Sequence, residues 1–168
     1  TLGIGKGSVK LDDLYGAEVV LVVGQNPGTN HPRMLSALEK CKNNGGKIIS
    51  INPLAETGLV NFKNPQNVSD MLGNGQPIAD IHLPVKINED IALAKLLLKK
   101  LVALDAKNPH VLDHEFIVEY VDGYDELLKD LSRYDMEGLQ RRSGVYMRKI
   151  DKAAALLAEN SKIVVCWA

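Results

Sequence analysis

Val19-Val20-Leu21-Val22-Val23-Gly24-Gln25-Asn26-Pro27-Gly28-Thr29-Asn30-His31-Pro32-Arg33 is the stretch that decides the fold. Five apolar residues in a row, four of them β-branched, read as a strand covered on both faces, the habit of a parallel sheet. Gly24 and Gly28 allow a sharp turn and a close approach of backbone to ligand. Asn30 or His31 is placed to cap the next helix, and Pro32 suits its first turn, where no N–H donor is needed. Free N–H groups at a helix start, beside the carboxyl end of a strand, form the usual cradle for a phosphorylated ligand in an α/β sheet.

Outward from that stretch the pattern continues. Met34, Leu35, Leu38 and Cys41 repeat at helical spacing, so a helix is expected from Pro32 to about Asn43, stopped by Asn44-Gly45-Gly46. Lys47 to Ile51 reads as a second strand that leaves through Asn52-Pro53. Strand, helix and strand within about 35 residues make a βαβ unit with parallel strands. Before it, 8–16 suggests a short helix burying Leu11 and Leu14, and the glycine-spaced start, Gly3-Ile4-Gly5-Lys6-Gly7, reads as a linker. Residues 54–77 read as a long loop with one helical turn near Val68 to Leu72.

Ile78 to Pro84 alternates as a third strand. Asn88-Glu89-Asp90 then opens the strongest helix, with Ile91, Leu93, Ala94, Leu97, Leu98, Leu101 and Leu104 as its apolar face, ended by Asn108-Pro109. Two short helices broken at Asp122-Gly123 follow, with Phe116, Ile117, Tyr120, Tyr124, Leu127, Leu128 and Leu131 expected inward. Residues 133–144 read as a connection interrupted at Gly138 and Gly144, and a helix from Tyr146 to Glu159 leads to a last strand, Lys162 to Trp167. The expectation is one α/β domain over 1–168, Rossmann-like, three-layered, with a mainly parallel sheet.

Composition narrows the function. With 168 residues the chain can bury a real core, and 20 Lys plus Arg against 21 Asp plus Glu leave no basic field for nucleic acid or an anionic membrane. No apolar run reaches the ~20 residues of a membrane span. Lys99-Lys100 and Arg141-Arg142 read as solvated helix faces. Cys41 and Cys166 belong to no CxxC, so zinc and iron–sulfur ligation are not expected, and both read as buried thiols of a reducing, cytoplasmic setting. The start at Thr1 and the stop at Ala168, inside the run Ile163 to Trp167, are what a piece of a longer protein would show.

Three polar strand exits, Gln25 to His31, Asn52 to Glu56, and the segment up to Asn88 and Asp90, should collect on one rim and hold a nucleotide. The dinucleotide fingerprint GxGxxG is absent, which disfavours an ordinary nicotinamide or flavin domain. Asp90 suits a helix's first turn; a carboxylate there is also able to accept two hydrogen bonds from guanine N1–H and its exocyclic amine, a donor pair adenine lacks. Asn52 reads either as a turn former or as a ribose partner, and His31 as a helix-start residue or a phosphate donor. His82 reads as structural, and His110 and His114 lack triad or metal spacing. No catalytic constellation is evident.

Gly24-Gln25-Asn26-Pro27-Gly28-Thr29-Asn30-His31-Pro32 resembles the glycine–x–asparagine–proline…histidine–proline turn of molybdopterin oxidoreductases, in particular the formate dehydrogenase alpha-subunit-like group. The likeness extends through 44–53, Asp80 to Leu93, Leu112 to Ile117 and Ser143 to Trp167, nearly the whole chain; Asn52 stands where many members carry Asp. The resemblance implies a domain holding one molybdopterin guanine dinucleotide (MGD) of a pair that ligates molybdenum or tungsten in a parent oxidoreductase. Gly24, Asn26, Thr29, Asn30 and His31 would surround the phosphates, Gln25 would join them in the cofactor site, Asn52 and Pro53 would border ribose and base, and Asn88 and Asp90 would read guanine. The metal ligand and the iron–sulfur cysteines of the family lie outside this piece, which would be inactive alone. Its partners would be the remaining domains of the parent, a small-molecule substrate and a redox partner. The rival readings are the central nucleotide domain of a thiamine-diphosphate enzyme, and a structural docking module without ligand.

Overall fold

The computed structural model describes residues 9–63 and 75–167. The glycine-spaced start and the helical turn expected near Val68 to Leu72 lie outside them. The chain divides into two compact units, Thr1–His82 with Lys162–Ala168, and Leu83–Ser161.

The first unit begins with α1 (Leu11–Tyr15), β1 (Val19–Val23), the short α2 (Pro27–Asn30), α3 (Pro32–Asn43), β2 (Lys47–Ile51) and α4 (Thr57–Val60). β3 (Ile81–Leu83) lies at the unit boundary, and β4 (Ile163–Trp167) returns at the end of the chain. The strand order is β3-β2-β1-β4. β1 pairs in parallel with β2, Val19 opposite Lys47 and Val23 opposite Ile51, and in parallel with β4, Val19 opposite Ile163 and Val23 opposite Trp167. The α/β class and parallel sheet expected from the apolar run are therefore present.

The period-two geometry of β1 explains its composition. Val20 and Val22 join Ile48, Val164, Leu14, Leu35, Leu38 and Cys41 in one core cluster. Val19 and Leu21 are buried as well, so both faces of the strand are covered. Each such aliphatic side chain contributes about 1.5–3 kcal/mol on full burial. In α1 only Leu14 is buried; Leu11, expected beside it, is exposed.

The third strand is shorter than expected. The N–H groups of Ile78 and Ala79 donate to the Leu59 carbonyl of α4, at 3.0 and 2.9 Å, instead of to a strand. Asp80 then clamps β2: its N–H donates to Ile48 O (2.8 Å) and its Oδ2 accepts from Ile48 N (2.9 Å). The carboxylate occupies a ladder position, so regular pairing starts only at Ile81. Lys42 closes the clamp at 3.1 Å from Asp80 Oδ1.

The second unit holds α5 (Asp90–Asp105), α6 (His114–Tyr120), α7 (Tyr124–Ser132), α8 (Met136–Ser143) and α9 (Met147–Ala158). α5 packs on α8 and α9, burying Leu93, Leu96, Leu139, Ile150, Ala153 and Ala154. Ile91 and Leu98, expected on the apolar face of α5, are exposed. Lys99 and Lys100 are not a free solvated face: Lys99 Nζ donates to Leu131 O (2.8 Å) and Lys100 pairs with Asp151 (2.7 Å). Arg141 and Arg142 are both exposed, as expected, and pair with Glu137 (3.7 Å) and Glu89 (3.0 Å) respectively. The connection expected over 133–144 contains α8, because Asp135 caps it through Gly138 N. Of the residues expected inward on α6 and α7, only Leu131 is buried.

Candidate functional site

The strand order positions the site. β1 has β2 and β3 on one side and β4, reached last, on the other. Ligands of open α/β sheets bind outside the strand carboxyl ends where the order reverses, here between β1 and β4. That point was not legible in the sequence, because the order of non-consecutive strands depends on packing.

At the end of β1 the chain turns at Gly24, whose φ of 67° favours glycine, while its N–H still donates to Ile51 O at 2.9 Å. Gln25 Nε2 reaches across the reversal to Trp167 O at the end of β4, 3.0 Å away. Its other amide atom, Oε1, is buried and has no hydrogen-bond partner among the described residues. On the opposite side Asn52 Nδ2 donates to Gln25 O (3.3 Å), and Asn52 Oδ1 accepts from Leu54 N (3.1 Å). Asn52 is buried and ties the two strand exits together; Pro53 is exposed beside it.

Asn26 caps α2 through Thr29 N at 3.2 Å and donates through Nδ2 to Glu56 Oε2. His31 takes the expected cap position of α3 but makes no side-chain cap bond, and Asn26 caps the separate short helix α2. Gly28 and Gly58 bring α2 and α4 together: a Cβ on Gly58 would lie 3.2 Å from Gly28 Cα and 2.9 Å from Leu35 Cδ1. Thr29, Asn30 and His31 are exposed.

Gln25, His31, Pro32, Arg33, Met34 and Cys166 line an open groove of about 580 Å³. Two cationic or protonatable side chains, a buried unsatisfied acceptor and an apolar floor suit a ligand with both an anionic and a flat, apolar part. Arg33, Met34 and Cys166 were not expected at a site from the sequence, although Arg33 directly follows the His31-Pro32 pair. Burial pushes the Cys166 thiol up, and burial, with the Asp80 charge second, does the same to Cys41, whose Sγ lies 3.4 Å from Ala17 O.

The structure brings together Gly24, Gln25, Asn26, Thr29, Asn30, His31, Asn52 and Pro53 at the strand exits of the first unit. Asn88 and Asp90 belong to the second. Asn88 sits at φ 67° in a turn closed by Glu89 N donating to Lys86 O (3.0 Å), a conformation Asn tolerates better than most residues. It is not the cap of α5; Glu89 holds that position without a side-chain bond. Asp90 is exposed in the first helical turn, and among the described residues its carboxylate has no hydrogen-bond or ion-pair partner. His114 is paired with Asp105 at 2.8 Å. No group of three His, Cys, Asp or Glu able to hold a metal occurs among the described residues. None of the described helices is long and apolar enough to cross a membrane.

The groove at the strand-order reversal of this parallel α/β unit lies where open α/β sheets place their ligands. An uncharacterized oxidoreductase of Mycobacterium bovis is 39% identical over 169 residues, covering 100% of this chain and 22% of the relative. The F420-dependent formate dehydrogenase 2 subunit alpha of Methanococcus maripaludis is 29% identical over 166 residues, covering 98% of this chain and 21% of the relative. Acetylene hydratase from Pelobacter acetylenicus shares the fold, with a TM-score of 0.69 over 94% of this chain and 21% of that one, at 20% identity. No family model matches. The chain is homologous to a segment of formate dehydrogenase-type oxidoreductases, the group its β1 turn resembles. It spans about a fifth of the length of these curated relatives.

Proposed function

We propose that the chain is the MGD-binding part of a formate dehydrogenase-like molybdenum or tungsten oxidoreductase, cytoplasmic, and that it holds one pterin dinucleotide without catalysing a reaction alone. The observation that carries this reading is the groove at the β1–β4 reversal. Its buried acceptor, Gln25 Oε1, lacks among the described residues the donor that a ligand N–H or O–H would supply. His31 and Arg33 beside it suit the diphosphate.

Asn52 and Pro53 border the ribose and base in this reading, with Asn52 also ordering the turn. Asn88 and Asp90 read guanine. The free carboxylate of Asp90 accepts from N1–H and the exocyclic amine, a pair of charge-assisted bonds contributing about 1.5–3 kcal/mol each. When bound, the pterin pair ligates the metal and supplies the redox chemistry. The substrate, the redox partner and the catalytic residues belong to the rest of the parent.

The test is direct. The parent is purified, its cofactor released by acid, and the nucleotide and metal quantified. Guanine nucleotide in a fixed ratio to pterin, with molybdenum or tungsten present, is expected. Replacement of Asp90 by Ala should lower retained cofactor at least tenfold. Adenine nucleotide, or a pterin without nucleotide, would overturn the reading.

A further inference from the structure

α6 is a helix with no buried residue. Val118 is 87% exposed, Tyr120 66%, Phe116 53%, and the following Val121 40%. Phe116 and Tyr120 lean on each other with ring centroids 5.0 Å apart, and Val118 points away from that pair by helical geometry. Apolar side chains thus stand on more than one side of the helix. Such a helix is ordinarily buried, and a contiguous exposed apolar patch rimmed by polar residues marks an interaction surface.

The rim has one sign. From 113 to 126 the chain carries Asp113, Glu115, Glu119, Asp122, Asp125 and Glu126, and no Lys or Arg. A second copy is a poor occupant: a two-fold contact sets the same patch against itself, acid against acid. The favoured occupant is an apolar surface edged with Lys or Arg. The curated relatives are between four and five times as long as the matched segment, which covers 22% and 21% of them, so polypeptide for such a surface exists in the parent.

We infer that α6 and the Tyr120–Val121 exit are a docking face for another part of the parent polypeptide, apolar at its centre and basic at its rim. The inference rests on the parent being longer, as in the proposed function, but not on any ligand. A failure of the MGD reading would leave its readout untouched.

The experiment places the photoreactive p-benzoylphenylalanine at Val118 of the full-length parent, irradiates, and maps cross-linked peptides by mass spectrometry. Tyr120 serves as a second position should the first variant misfold. The expected result is an intramolecular cross-link to a peptide outside these 168 residues that carries Lys or Arg beside apolar side chains. The double variant Glu115→Lys with Glu119→Lys should cut its yield severalfold. Cross-links only within the 168 residues, only to a second copy, or to nothing at both positions would overturn the inference. An unchanged yield in the double variant would remove its electrostatic half.

Discussion

Gly46 has no room for a methyl group. A Cβ there would run into Cys41 Sγ and lie 2.6 Å from Ala17 O, and the second of these is backbone that cannot rotate away. Gly45 is the opposite case, with open space but a φ of 99°. Gly46→Ala should therefore cost about 1–3 kcal/mol by overpacking, read as a lower urea midpoint at unchanged slope. A cost within ~0.5 kcal/mol, typical of open surface sites, would show that this corner relaxes. The sequence shows Asn44-Gly45-Gly46 as a helix stop but not which glycine is held by space and which by conformation. A similar gap concerns Asn26, which caps α2, a four-residue helix hidden inside the turn, whereas the pattern pointed only to a cap at Asn30 or His31 before α3.

At the scale of elements, the long apolar runs were legible and the short ones were not. β1, α3 and β2 fall where periodicity puts them, because burial on both faces or one face leaves a strong pattern. β3 is shortened by Asp80, a side chain acting as a ladder partner, which no periodicity reveals. α6 looked like core and is exposed, since an apolar helix is written the same way whether its cover lies within these residues or outside them. The joint between α5 and α6 offers a pH test. Burial raises the Asp105 carboxyl, but the Leu112 N–H and His114, at 3.0 and 2.8 Å, outweigh it and hold the group below its usual range. A lowered folded value means that Asp105 stabilises the fold above the unfolded pKa of about 3.9 and loses that contribution as pH falls through the folded value. In urea unfolding, Asp105→Asn should be less stable than the native sequence near neutral pH. The difference should shrink as pH falls below about 3.9. A gap that stays constant down the acid range would contradict the assignment.

For the whole molecule, the glycine turn after β1 was legible in the sequence and the groove beside it was not. Gly24 stands out as a turn former, and Asn26 and Asn52 as polar residues, at strand exits. The groove, however, needs Cys166 from a strand more than a hundred residues away, and only the order β3-β2-β1-β4 brings it, and the Trp167 carbonyl that holds Gln25, beside β1. Asn88 and Asp90 enter through resemblance and through the free carboxylate of Asp90, so guanine recognition is the claim most exposed to test. The most direct measurement is an NMR titration of the 168-residue chain with GDP and, separately, ADP. The account predicts amide shifts confined to the Gly24–His31 turn, Asn52 and the start of α5, stronger with GDP and lost in Asp90→Ala. A preference for ADP, which a thiamine-diphosphate enzyme's nucleotide domain would show, or no shift with either nucleotide, would contradict it.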